Sequence, residues 1–189
     1  AIWLLFHRFT VPAIELTQDT PREAVCQVFE KVNTGGVTLT VFELMTATFA
    51  ADEFNLRDDW DARQERLTAK HDVLTAVDGT SFLTAVTLLA SYRRHKALGT
   101  SVSCKRADVL KLPLADFKAL ESDLEKGFKR AAELLAEEKI FDDRSLPYAT
   151  QLVPLSAICA HLADRTTQHG VKQKLLRWYW NGVLGELYG

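Results

Sequence analysis

Residues 81–96 read SFLTAVTLLASYRRHK, and this stretch is the strongest indicator of the fold class. Wound into a helix, it places apolar side chains on nearly every side, namely Phe82, Leu83, Val86, Leu88, Leu89 and Tyr92. A helix that is apolar nearly all round is typical of the centre of a bundle, where other helices cover it. We therefore expect a central, buried helix here.

The flanking segments predict helices that could cover this centre. Residues 114–139 form the clearest amphipathic pattern, with a stripe at Phe117, Leu120, Leu124, Phe128, Ala131 and Leu135. A further long helix is expected from Asp58 or Asp59 to about Val77. Another is expected at residues 148–163, where Pro154 either kinks the helix or lies in its true first turn. The last runs over residues 171–187, with Leu176, Trp180, Val183 and Leu187 on one face.

Two capping boxes mark helix starts nearer the beginning of the chain. Thr20 with Glu23 begins one helix, and Thr40 with Glu43 begins the next. Short apolar runs at residues 2–6 and 10–16 are typical of strands. The sequence therefore predicts a mainly α protein, a bundle of about six or seven helices with a short N-terminal β-strand remnant.

Composition limits the function classes. The net charge of −2 gives no overall attraction to nucleic acid. No apolar run approaches the roughly 20 residues of a membrane-spanning helix, so no membrane partner is expected. Three widely spaced cysteines, Cys26, Cys104 and Cys159, are typical of a reduced cytoplasmic protein. Because the chain opens inside apolar sequence without Met, we expect a fragment of a longer protein.

Common catalytic and metal-binding motifs are absent from the sequence. It contains no phosphate-binding glycine loop and no zinc-protease or hydrolase motif, and its histidines lack metal-ligand spacing. His161 and Asp164, one turn apart, can form a surface hydrogen bond. Acidic clusters at residues 52–53, 58–61 and 142–143 are interpreted as helix starts. The aromatic run 178–180 can stack bases, but its helical spacing favours a place in the core.

The corner FEKVNTGGVTL, residues 29–39, leaves two interpretations open. Asn33 can simply end a helix, since asparagine adopts left-handed backbone geometry readily. Alternatively, its amide and the N–H groups of Gly35 and Gly36 can hold an anionic or nucleotide ligand. Candidate phosphate or DNA contacts are Arg8, Arg93, Arg94, Lys105 and Arg106; the ligand interpretation requires that they converge beside Asn33.

The same corner resembles a motif of the GmrSD restriction-endonuclease N-terminal domain family. In that family a Phe-x-x-x-Asn-x-Gly segment, followed by a Leu and an acidic helix start, closes a ParB/sulfiredoxin-like fold. Residues 11–16, 146–148, 177–180 and 187–189 are similar to other parts of the family. The Asp-Gly-Gln-Gln-Arg motif associated with nucleotide hydrolysis, and the His-Asn-His-like nuclease domain, do not occur in this sequence.

The resemblance implies that residues 1–40 end a nucleotide-binding fold and residues 41–189 form a helical domain. It implies a module of a prokaryotic anti-phage restriction protein that couples an NTP-binding domain to DNA or a nuclease domain. The fragment itself would hold no cofactor and catalyse nothing, whereas the full-length protein would be an NTP-dependent nuclease using a nucleotide and a divalent metal. The alternative is a structural helical domain for protein–protein interaction, which has no ligand site. It predicts an exposed apolar groove or a dimer interface and no clustered basic groups.

Overall fold

The structure is a computed structural model that describes residues 39–188. The predicted strands, the helix that begins at Thr20 and the division at residue 40 lie outside this range or at its edge. Asn33, Gly35, Gly36 and Arg8 also lie outside it.

Seven α-helices form the described part. They are α1 Val41–Ala50, α2 Leu56–Thr68, α3 Gly79–Leu98, α4 Arg106–Val109, α5 Leu114–Glu137, α6 Leu152–Leu162 and α7 His169–Leu184. Four 3-10 turns join them, at Asp72–Ala76, Asp143–Ser145, Ala149–Gln151 and Ala163–Thr167. No strand occurs within residues 39–188. The predicted mainly α bundle is confirmed.

Helix α1 begins as the sequence predicted. The Thr40 hydroxyl accepts the backbone N–H of Glu43, while the Glu43 carboxylate accepts the backbone N–H of Thr40 at 2.7 Å. This reciprocal pair satisfies two of the N–H groups that a helix start leaves without a partner. The capping box at residues 40–43 is thus confirmed.

The predicted helix from Asp58 or Asp59 to Val77 is wrong at both ends. Asn55 caps α2 through its side-chain oxygen, and α2 ends at Thr68. The 3-10 turn after it instead buries Val73, Leu74 and Val77 together.

The acidic clusters are helix starts in two of the three predicted places. Asp58 and Asp59 lie in the first turn of α2, and Asp142 caps a 3-10 turn by accepting the Ser145 N–H. Asp52 and Glu53 instead occupy the turn after α1, and Glu53 has a left-handed backbone with φ of 57°. The prediction for residues 52–53 is therefore wrong, because Asn55 rather than the acidic pair starts the next helix.

Helix α3 is central, as expected, but only over its first three turns. Phe82, Leu83, Val86 and Leu89 are buried against α1, α5 and α6. From residue 93 onward the helix is exposed. Leu88 and Tyr92 are only half-buried, because on their side of α3 the neighbouring helices leave a groove.

Helices α5 and α6 make the tightest crossing in the bundle. The predicted stripe of α5, from Phe117 to Leu135, is fully buried. At Gly127 an added Cβ would lie 2.4 Å from the backbone oxygen of Ser156 and 2.8 Å from Cβ of Ala160. Only glycine therefore permits α6 to lie this close to α5. Helix α6 begins at Leu152, which confirms the second alternative for Pro154, a place in the first turn.

The predicted apolar face of α7 is correct in part. Leu176, Trp180 and Val183 are half-buried and pack against the core. The most buried positions are instead Leu175, Tyr179 and Gly182, and Leu187, which lies beyond the helix end, is 73% exposed. The side chain of Gln151 holds this most buried part of α7, because its Nε2 donates to the Tyr179 backbone oxygen at 2.8 Å. The absence of a side chain at Gly182 makes room for Gln151. A glycine that makes room for a polar side chain leaves no sign in the pattern of large apolar residues.

The substitution Gly127→Ala tests the α5–α6 crossing. An alanine in an open helix would stabilise the protein by up to about 1 kcal/mol. Here its Cβ meets backbone, so we expect the free energy of unfolding to fall by about 1–3 kcal/mol in urea denaturation. Gly170→Ala, in the first turn of α7 with no atom within 4 Å of the added Cβ, is the matched control. Equal stability of the two variants would contradict the close crossing.

Candidate functional site

An apolar groove runs between α3 and α6. Its volume is about 340 Å³. Leu88, Leu89 and Tyr92 of α3 form one wall, and Val102 of the following loop also lines the groove. The α6 wall consists of Pro154, Ala157, Ile158, His161 and Leu162. Such a volume lies at the lower end of the range of ligand pockets.

The lining is apolar, and its residues differ in depth. Leu89 and Ala157 are buried and form the floor. Leu88, Ile158 and Leu162 are half-buried and form the walls. These side chains pack against the core on one side and leave the other side open. The groove is therefore backed by rigid packing, and filling it would remove apolar surface from water.

His161 and Tyr92 face each other across one end of the groove. Their rings meet edge to face, with centroids 4.8 Å apart. Partial burial lowers the pKa of His161, and the nearby cations Arg165, Lys96 and Arg93 lower it further. The neutral imidazole is thus favoured near neutral pH, and this end of the groove lies in a positive field.

The loop after α3 is tied back to that helix beside the groove. The backbone N–H of Ser103 donates to the Ser91 hydroxyl at 2.8 Å, and His95 Nδ1 contacts the Thr100 carbonyl oxygen at 2.6 Å. Gly99 makes the reversal possible with its left-handed φ of 72°. This arrangement places Val102, which is 43% exposed, over the groove.

The residues predicted to contact phosphate lie in different surroundings. Arg93 donates to Asp123 of α5 at 2.9 Å. Arg94, Lys105 and Arg106 are exposed on the end of α3 and on α4 or at its cap. Their predicted convergence beside Asn33 stays a prediction, because Asn33, Gly35, Gly36 and Arg8 lie outside the described residues.

The structure also tests the predicted hydrogen bond between His161 and Asp164 and the predicted core position of the aromatic run 178–180. Asp164 does not contact His161 but accepts from Arg130 at 2.8 Å. The aromatic run belongs to the packed interior, as expected: Tyr179 is fully buried, and Trp180 Nε1 donates to Glu138 at 2.8 Å. Burial raises the pKa of Tyr179 to about 12.

The described cysteines are free thiols, as expected. Burial raises the pKa of the Cys159 thiol to about 12, and burial also raises that of Cys104. Both thiols are therefore kept protonated, and thiols react through the thiolate. Within residues 39–188, no three histidine, cysteine or acidic side chains come together in a way that could hold a metal ion.

A buried charge cluster between α2 and α5 was not predicted from the sequence. Arg63 is 3% exposed and pairs with Asp59, Glu121 and Glu125 at 2.9–3.0 Å. Its guanidinium also lies over the Phe82 ring, 5.0 Å from the centroid. The position of Arg63, between Trp60 and Leu67 on the apolar face of α2, was the available signal.

Glu125 is the most strongly held acid of this cluster. Burial alone would raise its pKa, but hydrogen bonds from Arg66 and Lys129 outweigh that effect and hold the pKa at about 2. The neighbouring Glu121 differs, because burial raises its pKa despite the attraction of Arg63. The cluster therefore joins α2 to α5 and serves the structure.

Comparison with protein-family models, curated proteins and solved structures finds no match for this chain. Within residues 39–188, no helix is both long and apolar enough to cross a bilayer. The function of the groove is therefore inferred from the residues that line it.

Glu125 makes stability depend on pH in the acid range. Its folded pKa of about 2 lies below the ordinary 4.5, so its contribution is complete above pH 4.5 and is lost as the pH falls toward 2. We expect Glu125→Gln to lower the free energy of unfolding at pH 7 by about 3 kcal/mol and to flatten its decline in acid. Urea denaturation between pH 3 and 7 measures both.

The control for this prediction is Glu65→Gln, an exposed carboxylate on α2. Its stability at pH 7 should stay within about 0.5 kcal/mol of the parent. If Glu125→Gln retained the parent's full acid dependence, the assigned role of Glu125 would be wrong.

Proposed function

We propose that the helical domain is a docking module, which binds an apolar segment of a partner protein or partner domain in the groove between α3 and α6. The observation that carries this proposal is an apolar cleft of about 340 Å³ between two packed helices. Burying partner surface there gains about 25 cal/mol for each Å² of apolar area.

The size of the groove indicates what fits. An engineered apolar cavity of about 150 Å³ holds one benzene ring. A groove of about 340 Å³ therefore accommodates about two large apolar side chains. Two such anchors can carry recognition, because a few buried side chains supply most of the binding free energy of an interface.

The packing of the groove against the core distinguishes it from apolar side chains that are exposed singly on the surface. Other exposed apolar side chains, such as Leu184 at 80% and Phe141 at 59%, project singly into solvent. Isolated exposed residues of that kind are ordinary on protein surfaces. The groove differs because eight apolar or aromatic side chains and His161 converge on one concave surface.

The resemblance to the GmrSD family supports a compatible, more specific proposal. Here the chain is part of a prokaryotic restriction or defence protein, and the helices couple an NTP-binding domain to DNA or to a nuclease domain. Asn33, Gly35 and Gly36 line one edge of the nucleotide pocket. In support, the motif is followed by an acidic helix start, the Thr40–Glu43 capping box. The groove would be the surface that transmits the nucleotide state.

A displayed library of helical peptides tests the docking proposal. The full chain should enrich peptides with two apolar anchors three or four residues apart. The double variant Leu88→Gln with Ile158→Gln should abolish enrichment, because it makes both walls of the groove polar. Leu184→Gln, which alters an exposed leucine on α7, should leave enrichment unchanged. Loss with Leu184→Gln alone would place the docking surface elsewhere.

The nucleotide proposal is tested in the full-length protein by Asn33→Ala. We expect loss of nucleotide-stimulated activity and an unchanged melting temperature, because the amide would contact ligand rather than cap a helix. Asn55→Ala is the matched control: it removes a known helix cap, should cost about 1 kcal/mol of stability and should leave nucleotide stimulation intact. If Asn33→Ala lowers the melting temperature as Asn55→Ala does and retains stimulation, Asn33 is only a cap.

A further inference from the structure

One end of the groove carries positive charge that the described residues do not balance. Lys96 lies one helical turn after the groove-lining Tyr92 on α3, and Arg165 lies just past the end of α6, after the groove-lining Leu162. Both, together with Arg93, are near enough to lower the pKa of His161. Arg93 is paired with Asp123. Lys96 and Arg165, both exposed, have no acidic partner within residues 39–188.

The nearest acid along the chain does not cancel this charge. Asp164 precedes Arg165 but accepts from Arg130 at 2.8 Å. Two cations consequently remain available beside an apolar surface. Charges at the rim of an interface set specificity and association rate, while buried apolar anchors set most of the affinity. The combination selects an acidic partner over a basic one.

The length of the groove favours a helical occupant. Its α6 wall extends from Pro154 to Leu162, which at 1.5 Å per residue is about 12 Å. Two turns of a docked helix, with anchors at positions i and i+4 or i+7, cover the same distance. A peptide that binds by adding a strand needs a sheet edge, and residues 39–188 contain no strand.

We infer that the groove between α3 and α6 receives a short amphipathic helix of a partner, with apolar anchors on the floor and acidic residues beside Lys96 and Arg165. This inference rests on the proposed docking function and adds the shape and charge of the partner. A two-turn helix buries less than a standard interface, so micromolar binding is expected. Attachment of the partner to the same protein or complex would raise the effective concentration to about the millimolar range.

Three synthetic peptides test this inference against the full chain. They share the apolar anchors enriched by the displayed library and are stapled into helices, and their flanking residues are acidic, neutral or basic. Fluorescence anisotropy gives the three dissociation constants at low and moderate salt. We expect the acidic peptide to bind about tenfold more tightly than the neutral one, and the basic peptide most weakly. The preference should shrink as salt rises.

Reversing the charges of Lys96 and Arg165 tests whether these two residues cause the preference for the acidic peptide. Lys96→Glu with Arg165→Glu should weaken the acidic peptide about tenfold and strengthen the basic one. Lys174→Glu with Arg177→Glu, which reverses two exposed cations on α7 outside the groove, is the matched control and should leave the order unchanged. Circular dichroism checks that each variant retains its helices.

The outcomes separate the two proposals. Equal binding of all three peptides, abolished by Leu88→Gln with Ile158→Gln, would overturn the acidic partner and leave the docking function standing. The acidic partner would also be overturned if Lys174→Glu with Arg177→Glu removed the preference for the acidic peptide and Lys96→Glu with Arg165→Glu did not. Binding of no peptide, or binding that the groove variant does not change, would overturn the docking function and this inference with it.

Discussion

The close approach of α5 and α6 at Gly127 fixes the frame on which the other helices and the groove are built. Because Gly127 has no side chain, the backbone of α6 at Ser156 lies directly against α5. Helix α3 packs against both of these helices. The position of α6 is therefore fixed from the α5 side, and the space that remains between α3 and α6 on the outer side is the groove.

The buried charge cluster around Arg63 fixes the helices that pack on the other side of α5. Arg63 reaches from α2 to two glutamates of α5, and its guanidinium covers the Phe82 ring of α3. A buried cation that lost these partners would be costly, so the geometry of α2, α3 and α5 is strongly specified. Replacing such a cluster by apolar residues is often neutral for stability, which suggests that its contribution here is a unique arrangement of three helices.

Much of the fold could be predicted from the sequence, because its local signals are strong. The stripe of α5 and the capping box at Thr40 and Glu43 act within one or two helical turns, and both are confirmed. The central role of α3 was also correct over its buried turns. Other predictions were incomplete for different reasons. The start of α2 was missed because Asn55, three residues before Asp58, supplies the local cap. The most buried positions of α7 were missed because a distant residue, Gln151, bonds the Tyr179 backbone beside Gly182.

The candidate site was harder to predict, for a physical reason. A groove is formed by residues far apart in sequence, such as Leu88 and Ile158, each of which is an ordinary core residue by its local spacing. Sequence reasoning anticipated an apolar groove as one property of an interaction domain but not its location. Conversely, Arg93 was chosen as a phosphate contact for its charge, and the fold pairs it with Asp123.

Methyl resonances in solution NMR give the sharpest test of the groove as a docking surface. During titration of the full chain with the acidic helical peptide, we expect chemical-shift changes at Leu88, Val102, Ile158 and Leu162. The exposed Leu184 and Leu187 should not respond. Changes centred on Leu184 and Leu187, with the groove methyls unmoved, would contradict the assignment of the groove as the docking surface.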